Sequence, residues 1–176
     1  MKSCERFSIT KESWEPIAFL NCARCTSNAI TYKNSVYVFG GYYGKGRIRE
    51  IERYNLAKNK WELVQMSLKI PIEGAELIML NQDEILIFGG KNQYGATPIV
   101  TSYDLDSCHG TIRSTLIVSH VLPKAAFYDD KIVCFGGTGN DDLLVLDIKE
   151  NNWEKKFVPD LGDIPNMGKA SFAQSY

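Results

Sequence analysis

Cys22-Ala-Arg-Cys25 is the first stretch of this chain whose residue types could do chemistry. Its spacing is that of half a zinc site or of a redox dithiol, and Cys108-His109 could supply two further ligands. A second Cys-x-x-Cys is missing and no strand–helix–strand pattern surrounds the first, so no metal and no other cofactor is expected. Gly41-Tyr-Tyr-Gly44-Lys-Gly46 has the glycines of a phosphate loop. Such a loop needs a following helix to supply its amides, whereas Ile48-Arg-Glu-Ile-Glu-Arg-Tyr54 alternates as a strand does. Asp129-Asp130 and Asp141-Asp142 could pair carboxylates, but both flank strands at turns, where Asp accepts local backbone hydrogen bonds. His109 and His120 have no Ser or Cys in a nucleophile setting near them and are expected to be surface residues. No catalytic residue is assigned.

The elements that must position these residues form a repeat. Val-Tyr-Val-Phe-Gly40-Gly41, Ile-Leu-Ile-Phe-Gly89-Gly90 and Ile-Val-Cys-Phe-Gly136-Gly137 recur with their second glycines 49 and 47 residues apart (90 − 41 and 137 − 90). Tyr54, Tyr103 and Leu146 follow the glycine pairs at similar distances. Trp61 and Trp153 stand seven residues past Tyr54 and Leu146, and Phe7 and Trp14 repeat that spacing at the start of the chain. β-branched and aromatic residues before each glycine pair suit a strand buried on both faces, and the glycines suit a chain leaving the sheet. Four strands fit each unit: near 26–32, 35–41, 48–55 and 60–66, then 74–81, 84–90, 97–105 and 110–118, then 123–128, 131–137, 142–148 and 152–157. A partial unit covers 1–22, full units lie at about 23–67, 74–118 and 121–158, and a further one begins at about 168–176.

An apolar strand ending in Gly-Gly, a Tyr-Asp-type pair and a Trp some residues later resembles the kelch motif, and the resemblance covers nearly the whole chain. It implies an all-β fold, a β-propeller segment of four-stranded antiparallel blades forming an incomplete ring, similar in architecture to the WD40 propellers. It also implies that Trp14, Trp61 and Trp153 plug the packing between adjacent blades, each burying ~200 Å². Gly110 stands seven residues past Tyr103, where the other units have Trp, so the outer strand of the second blade is expected to be the least firmly packed.

Composition points to a compact body, with 44% hydrophobic and 11% aromatic residues. A net charge of −1 with no run of five like charges offers no footprint for nucleic acid or an anionic membrane. No apolar run of 18 residues and no signal segment is present. Five cysteines, an odd number, are expected to be reduced thiols in a cytoplasmic protein.

Kelch propellers bind proteins through loops that the repeat leaves unconstrained, so the resemblance implies a scaffold or adaptor. In an up-and-down blade the connections from the second to the third strand and from the fourth strand to the next blade share one face. That face would gather Tyr42, Tyr43, Lys45, Arg47 and Arg49 from the first blade, Asn92, Gln93 and Tyr94 from the second, and Thr138, Asn140 and Asp141 from the third. The alternative is an enzyme like the kelch-type copper oxidases, or a metal-binding module using Cys22 and Cys25. An open arc of blades would leave large apolar faces bare, a loss comparable to a domain's whole stability. Three remedies are open: further blades in a longer protein, which the mid-blade ends favour, self-association of two copies to complete the ring, or a strained small ring.

Overall fold

The computed structural model describes residues 1–138 and 142–156, and the segment near 168–176 lies outside them. Every regular element among the described residues is a β-strand, and none of them forms a helix long and apolar enough to cross a membrane. The chain divides into two units, Met1–Glu73 and a second starting at Gly74.

In the first unit β1 (Cys4–Ser8) and β2 (Ser13–Ile17) form a hairpin. There follow β3 (Asn28–Tyr32), β4 (Ser35–Phe39), β5 (Tyr42–Tyr43), β6 (Gly46–Arg47), β7 (Glu50–Asn55) and β8 (Lys60–Ser67). The sheet order is β3-β4-β7-β8, antiparallel throughout, with β5 and β6 forming a separate two-stranded ribbon. In the second unit β9 (Glu76–Met79), β10 (Glu84–Phe88), β13 (Ile99–Asp104) and β14 (His109–Thr115) make one such sheet, and β11 (Lys91–Asn92) and β12 (Gly95–Ala96) make its ribbon. β15 (Lys124–Tyr128), β16 (Lys131–Phe135), β17 (Leu143–Asp147) and β18 (Asn152–Lys156) make the last sheet.

The strand sets fall where the repeat places them, and the first three strands of each sheet are shorter than expected, whereas β8 runs one residue further, to Ser67. The second strands stop at Phe39, Phe88 and Phe135, before the glycines, because Gly41 and Gly90 turn their amides away to the carbonyls of Ile72 (2.8 Å) and His120 (2.7 Å). In the first two sheets the first strands begin later than expected because Thr26 and Gly74 have φ of 49° and 61°, which extended backbone cannot hold.

Register turns the sequence columns into cross-strand pairs. Tyr54 faces Trp61, Leu146 faces Trp153, Tyr103 faces Gly110 and Phe7 faces Trp14. In the first unit Tyr54 and Trp61 are buried with Leu20 and Val38, and Cys4, Ile17 and Ala18 of the opening hairpin pack on them. In the second unit Ile78, Leu86, Phe88 and Val100 share one core with Ile132, Cys134, Leu144, Leu146 and Trp153. Burial, helped by the Glu76 carboxylate, pushes the Cys134 thiol up to about 12, so it behaves as a small hydrophobe.

Three expectations are corrected. Trp14 is 66% exposed, since the face of β1–β2 that carries it is not packed against the first unit's core. His120 is fully buried, its Nδ1 2.8 Å from the Gly136 carbonyl oxygen. The position opposite Tyr103 is filled as well: the Tyr103 ring lies over Gly110 and is 1% exposed, and a Cβ on Gly110 would come within 2.3 Å of its Cε1. Gly110→Val is therefore expected to cost about 1–3 kcal/mol in a urea melt through overpacking. A cost near zero would show β14 to be loosely held.

Candidate interaction surface

In the first unit the ribbon β5–β6 stands on a fixed root. Tyr42 and Cys25 exchange backbone hydrogen bonds (2.8 and 3.0 Å), and the Ile48 amide donates to the Gly41 carbonyl (2.9 Å). The Arg47 guanidinium donates to Glu73 Oε1 (2.7 Å), and Thr26 Oγ1 donates to the other oxygen of that carboxylate (3.2 Å). Arg49 donates from Nε to the Leu68 carbonyl (3.0 Å) and from a terminal nitrogen to that of Lys69 (3.3 Å). Arg47 and Arg49 thus hold the scaffold. Tyr42 is half-buried and donates its hydroxyl to the Gly44 carbonyl (3.1 Å). Tyr43, 56% exposed, and the exposed Lys45 form the ribbon's outer surface. The second-to-third-strand connection therefore meets Thr26 and Glu73 from the connections between blades, the shared face expected from an up-and-down blade.

Beneath this root lies a buried ion pair that the sequence pattern did not announce. Arg24 donates to Glu52 Oε1 (2.7 Å) and to the carbonyls of Gly40 (2.8 Å) and Glu50 (3.1 Å). Glu52 also accepts the Asn21 amide (2.7 Å), the Asn21 side chain (2.9 Å) and the Cys22 amide (3.0 Å). Burial alone would raise the Glu52 carboxyl, but the Cys22, Asn21 and Arg24 hydrogen bonds outweigh it and hold the group below the usual carboxylate range. Cys22 thus contributes its amide to this network, and Cys25 directs its thiol to the Tyr42 carbonyl (3.4 Å). Among the described residues no three His, Cys, Asp or Glu side chains gather as metal ligands.

In the second unit the ribbon β11–β12 repeats the device. The Thr97 amide donates to Gly90 (3.0 Å), Gly90 donates to His120 (2.7 Å), and the Asn92 side chain accepts the Tyr94 amide (2.8 Å). Gln93 is exposed, and Tyr94 is 89% exposed at the tip. The Thr138 amide donates to Val121 (2.8 Å); Asn140 and Asp141 lie outside the described residues. Arg24 and His120 occupy one repeat position, each sixteen residues before the carbonyl of the first glycine that it contacts. Leu20, Leu68 and Leu116, buried at intervals of 48 residues, form another such column. That spacing was the available signal for both.

The geometry defines a β-sheet repeat scaffold that raises short, rigidly rooted ribbons with exposed tyrosines. The family model described as the KLHDC2/KLHL20/DRC7 Kelch-repeats domain matches residues 27–173. The chain belongs to the kelch-repeat family, and its fold is that of a β-propeller segment built from four-stranded antiparallel blades. Among solved structures it is similar to that of YjhT, with a TM-score of 0.76 and 14% identity over 88% of this chain and 58% of that one. Among curated relatives it is 25% identical, over 90% of its length, to N-acetylneuraminate epimerases of Salmonella enteritidis and Salmonella typhi. A shorter match, 34% over 65 residues, is to a RING finger domain and kelch repeat-containing protein of Dictyostelium discoideum. The chain spans 39% of the epimerases' length and 6% of the Dictyostelium protein's.

Proposed function

We propose that the chain is a non-catalytic protein-interaction module, a kelch scaffold or adaptor that contacts its partner with the ribbon tips. One observation carries this: Tyr43 and Tyr94 are exposed on two-stranded ribbons whose roots are pinned by backbone bridges and, in the first, by the Arg47–Glu73 ion pair. Large aromatic side chains held on a rigid base lose little entropy on binding and dominate interface energetics. A cytoplasmic setting is part of the proposal and rests on the odd number of cysteines.

The test is crosslinking capture from cell extract, followed by titration of the captured protein against the wild type and Tyr43→Ala/Tyr94→Ala. The double variant is expected to bind at least tenfold more weakly with its melting temperature unchanged, since both side chains are exposed. Equal affinity would remove the ribbons from the interface.

The epimerase relatives favour a second reading, in which the chain acts on N-acetylneuraminate. Proton NMR of that sugar with stoichiometric protein decides between them. Accelerated interconversion of its epimers would establish catalysis, and an unchanged rate would leave the binding module.

A further inference from the structure

Charge is divided unevenly along this chain. Residues 1–73 hold 12 Lys and Arg against 7 Glu and no Asp, a net of +5, whereas residues 74–176 hold 8 against 14 Asp and Glu, a net of −6. Around the first unit's ribbon the basic residues are Lys45, Arg47, Arg49 and Lys69, and the acidic ones are Glu50 and Glu73. Glu73 neutralises Arg47 (2.7 Å), and Glu50 accepts the Arg49 backbone amide (3.1 Å). The exposed Arg49 guanidinium donates only to the carbonyls of Leu68 and Lys69 among the described residues, which fixes it in place without cancelling its charge. Its second terminal nitrogen keeps its donors for another acceptor. Lys45 is exposed at the ribbon turn, two residues past Tyr43, and no carboxylate among the described residues takes its ammonium.

The repeat shows that a ribbon forms without these charges. Ile48 bonds to Gly41 as Thr97 bonds to Gly90, and Leu68 bonds to Arg49 as Leu116 bonds to Pro98. Lys45, Arg47 and Arg49 therefore correspond to Tyr94, Ala96 and Pro98, and the second ribbon keeps the same backbone bonds with no charge at any of the three. We propose that the first ribbon's partner is an acidic protein segment, whose carboxylates meet Lys45 and Arg49 while its chain lies against Tyr43. Charge-assisted hydrogen bonds from a fixed guanidinium and an exposed aromatic side chain suit that chemistry. A nucleic-acid duplex fits less well, because its affinity comes from many phosphate contacts, and this patch offers two uncompensated charges in a chain of net charge −1. The inference rests on the ribbon surface as the interface and adds the chemistry of what binds there.

Fluorescence anisotropy of a fluorescein-labelled decaglutamate peptide, titrated with the 176-residue chain, is the test. The peptide is expected to bind at ~50 mM salt and about tenfold more weakly at ~300 mM, while a decaserine peptide does not bind. Lys45→Glu should weaken binding at least about fivefold with an unchanged melting temperature, because the side chain is exposed. Lys58→Glu makes the same charge change in the β7–β8 turn, at the other end of β7 from the ribbon, and should bind as the wild type does. No binding of decaglutamate overturns the proposal, and so do equal losses in the two variants, which would make net charge and not the ribbon responsible. Tighter binding of single-stranded DNA or of phosphatidylserine vesicles than of the peptide also overturns it, in favour of a nucleic acid or a membrane. The ribbon reading is judged separately: a captured protein that loses affinity for Tyr43→Ala/Tyr94→Ala but not for Lys45→Glu would keep the interface and remove the acidic partner.

Discussion

Glu52→Ala is expected to destabilise the protein by about 3–5 kcal/mol, read as a shift in the urea midpoint. The carboxylate is fully buried and takes hydrogen bonds from both nitrogens of Asn21, the Cys22 amide and Arg24. Its removal strands the Arg24 guanidinium, whose side chain is 1% exposed. Replacing both partners with apolar residues of similar size, Arg24→Met with Glu52→Leu, is expected to recover most of the loss, because the desolvation cost of the two charges disappears with them. A single-variant cost below 1 kcal/mol would show that water reaches the pair.

The same residue sets a pH dependence. Its carboxyl is held below the ordinary value, so its contribution is complete above the unfolded-state pKa of about 4.3 and is lost as pH falls through the lower folded value. The wild-type urea midpoint should therefore decline below about pH 4, and that of Glu52→Ala should decline less over the same range. Parallel curves would count against the assignment.

Gly40→Ala is the second large effect, expected at about 3 kcal/mol and a fall in melting temperature of about 10 °C. Gly40 has a φ of 57°, and a Cβ there would lie 2.4 Å from the Ile72 carbonyl oxygen and 3.2 Å from Leu68 Cδ1. That carbonyl cannot withdraw freely because it accepts the Gly41 amide at 2.8 Å. Gly44→Ala provides the control. Its φ of 40° carries the left-handed cost of about 1 kcal/mol, but nothing lies within 4 Å of its Cβ position. Equal losses for the two would mean that backbone conformation, and not contact with Ile72, requires the glycine column.

The glycine pairs, the strands before them and the Tyr–Trp register were legible in the sequence because each depends on local physics: alternation, β-branched runs and positive φ. The connections that carry Tyr43 and Tyr94 read as loops because these residues interrupt the apolar periodicity beside glycines, but the two-stranded ribbons they form come from the structure. Arg24 sits inside a cysteine pair, and His120 reads in sequence as a surface residue. Their neighbours, Glu52 and the Gly136 carbonyl, are 28 and 16 residues away, and no local pattern announces such a partner. Arg47 and Arg49 look like contact residues in sequence, yet they spend their donors on Glu73 and on the Leu68 and Lys69 carbonyls. Trp14 makes the division plainest. Its place opposite Phe7 follows from spacing alone, because register is a property of the hairpin. Whether that indole is buried depends on which sheet lies against its face, and the distance between sheets is set by packing that only the tertiary structure decides.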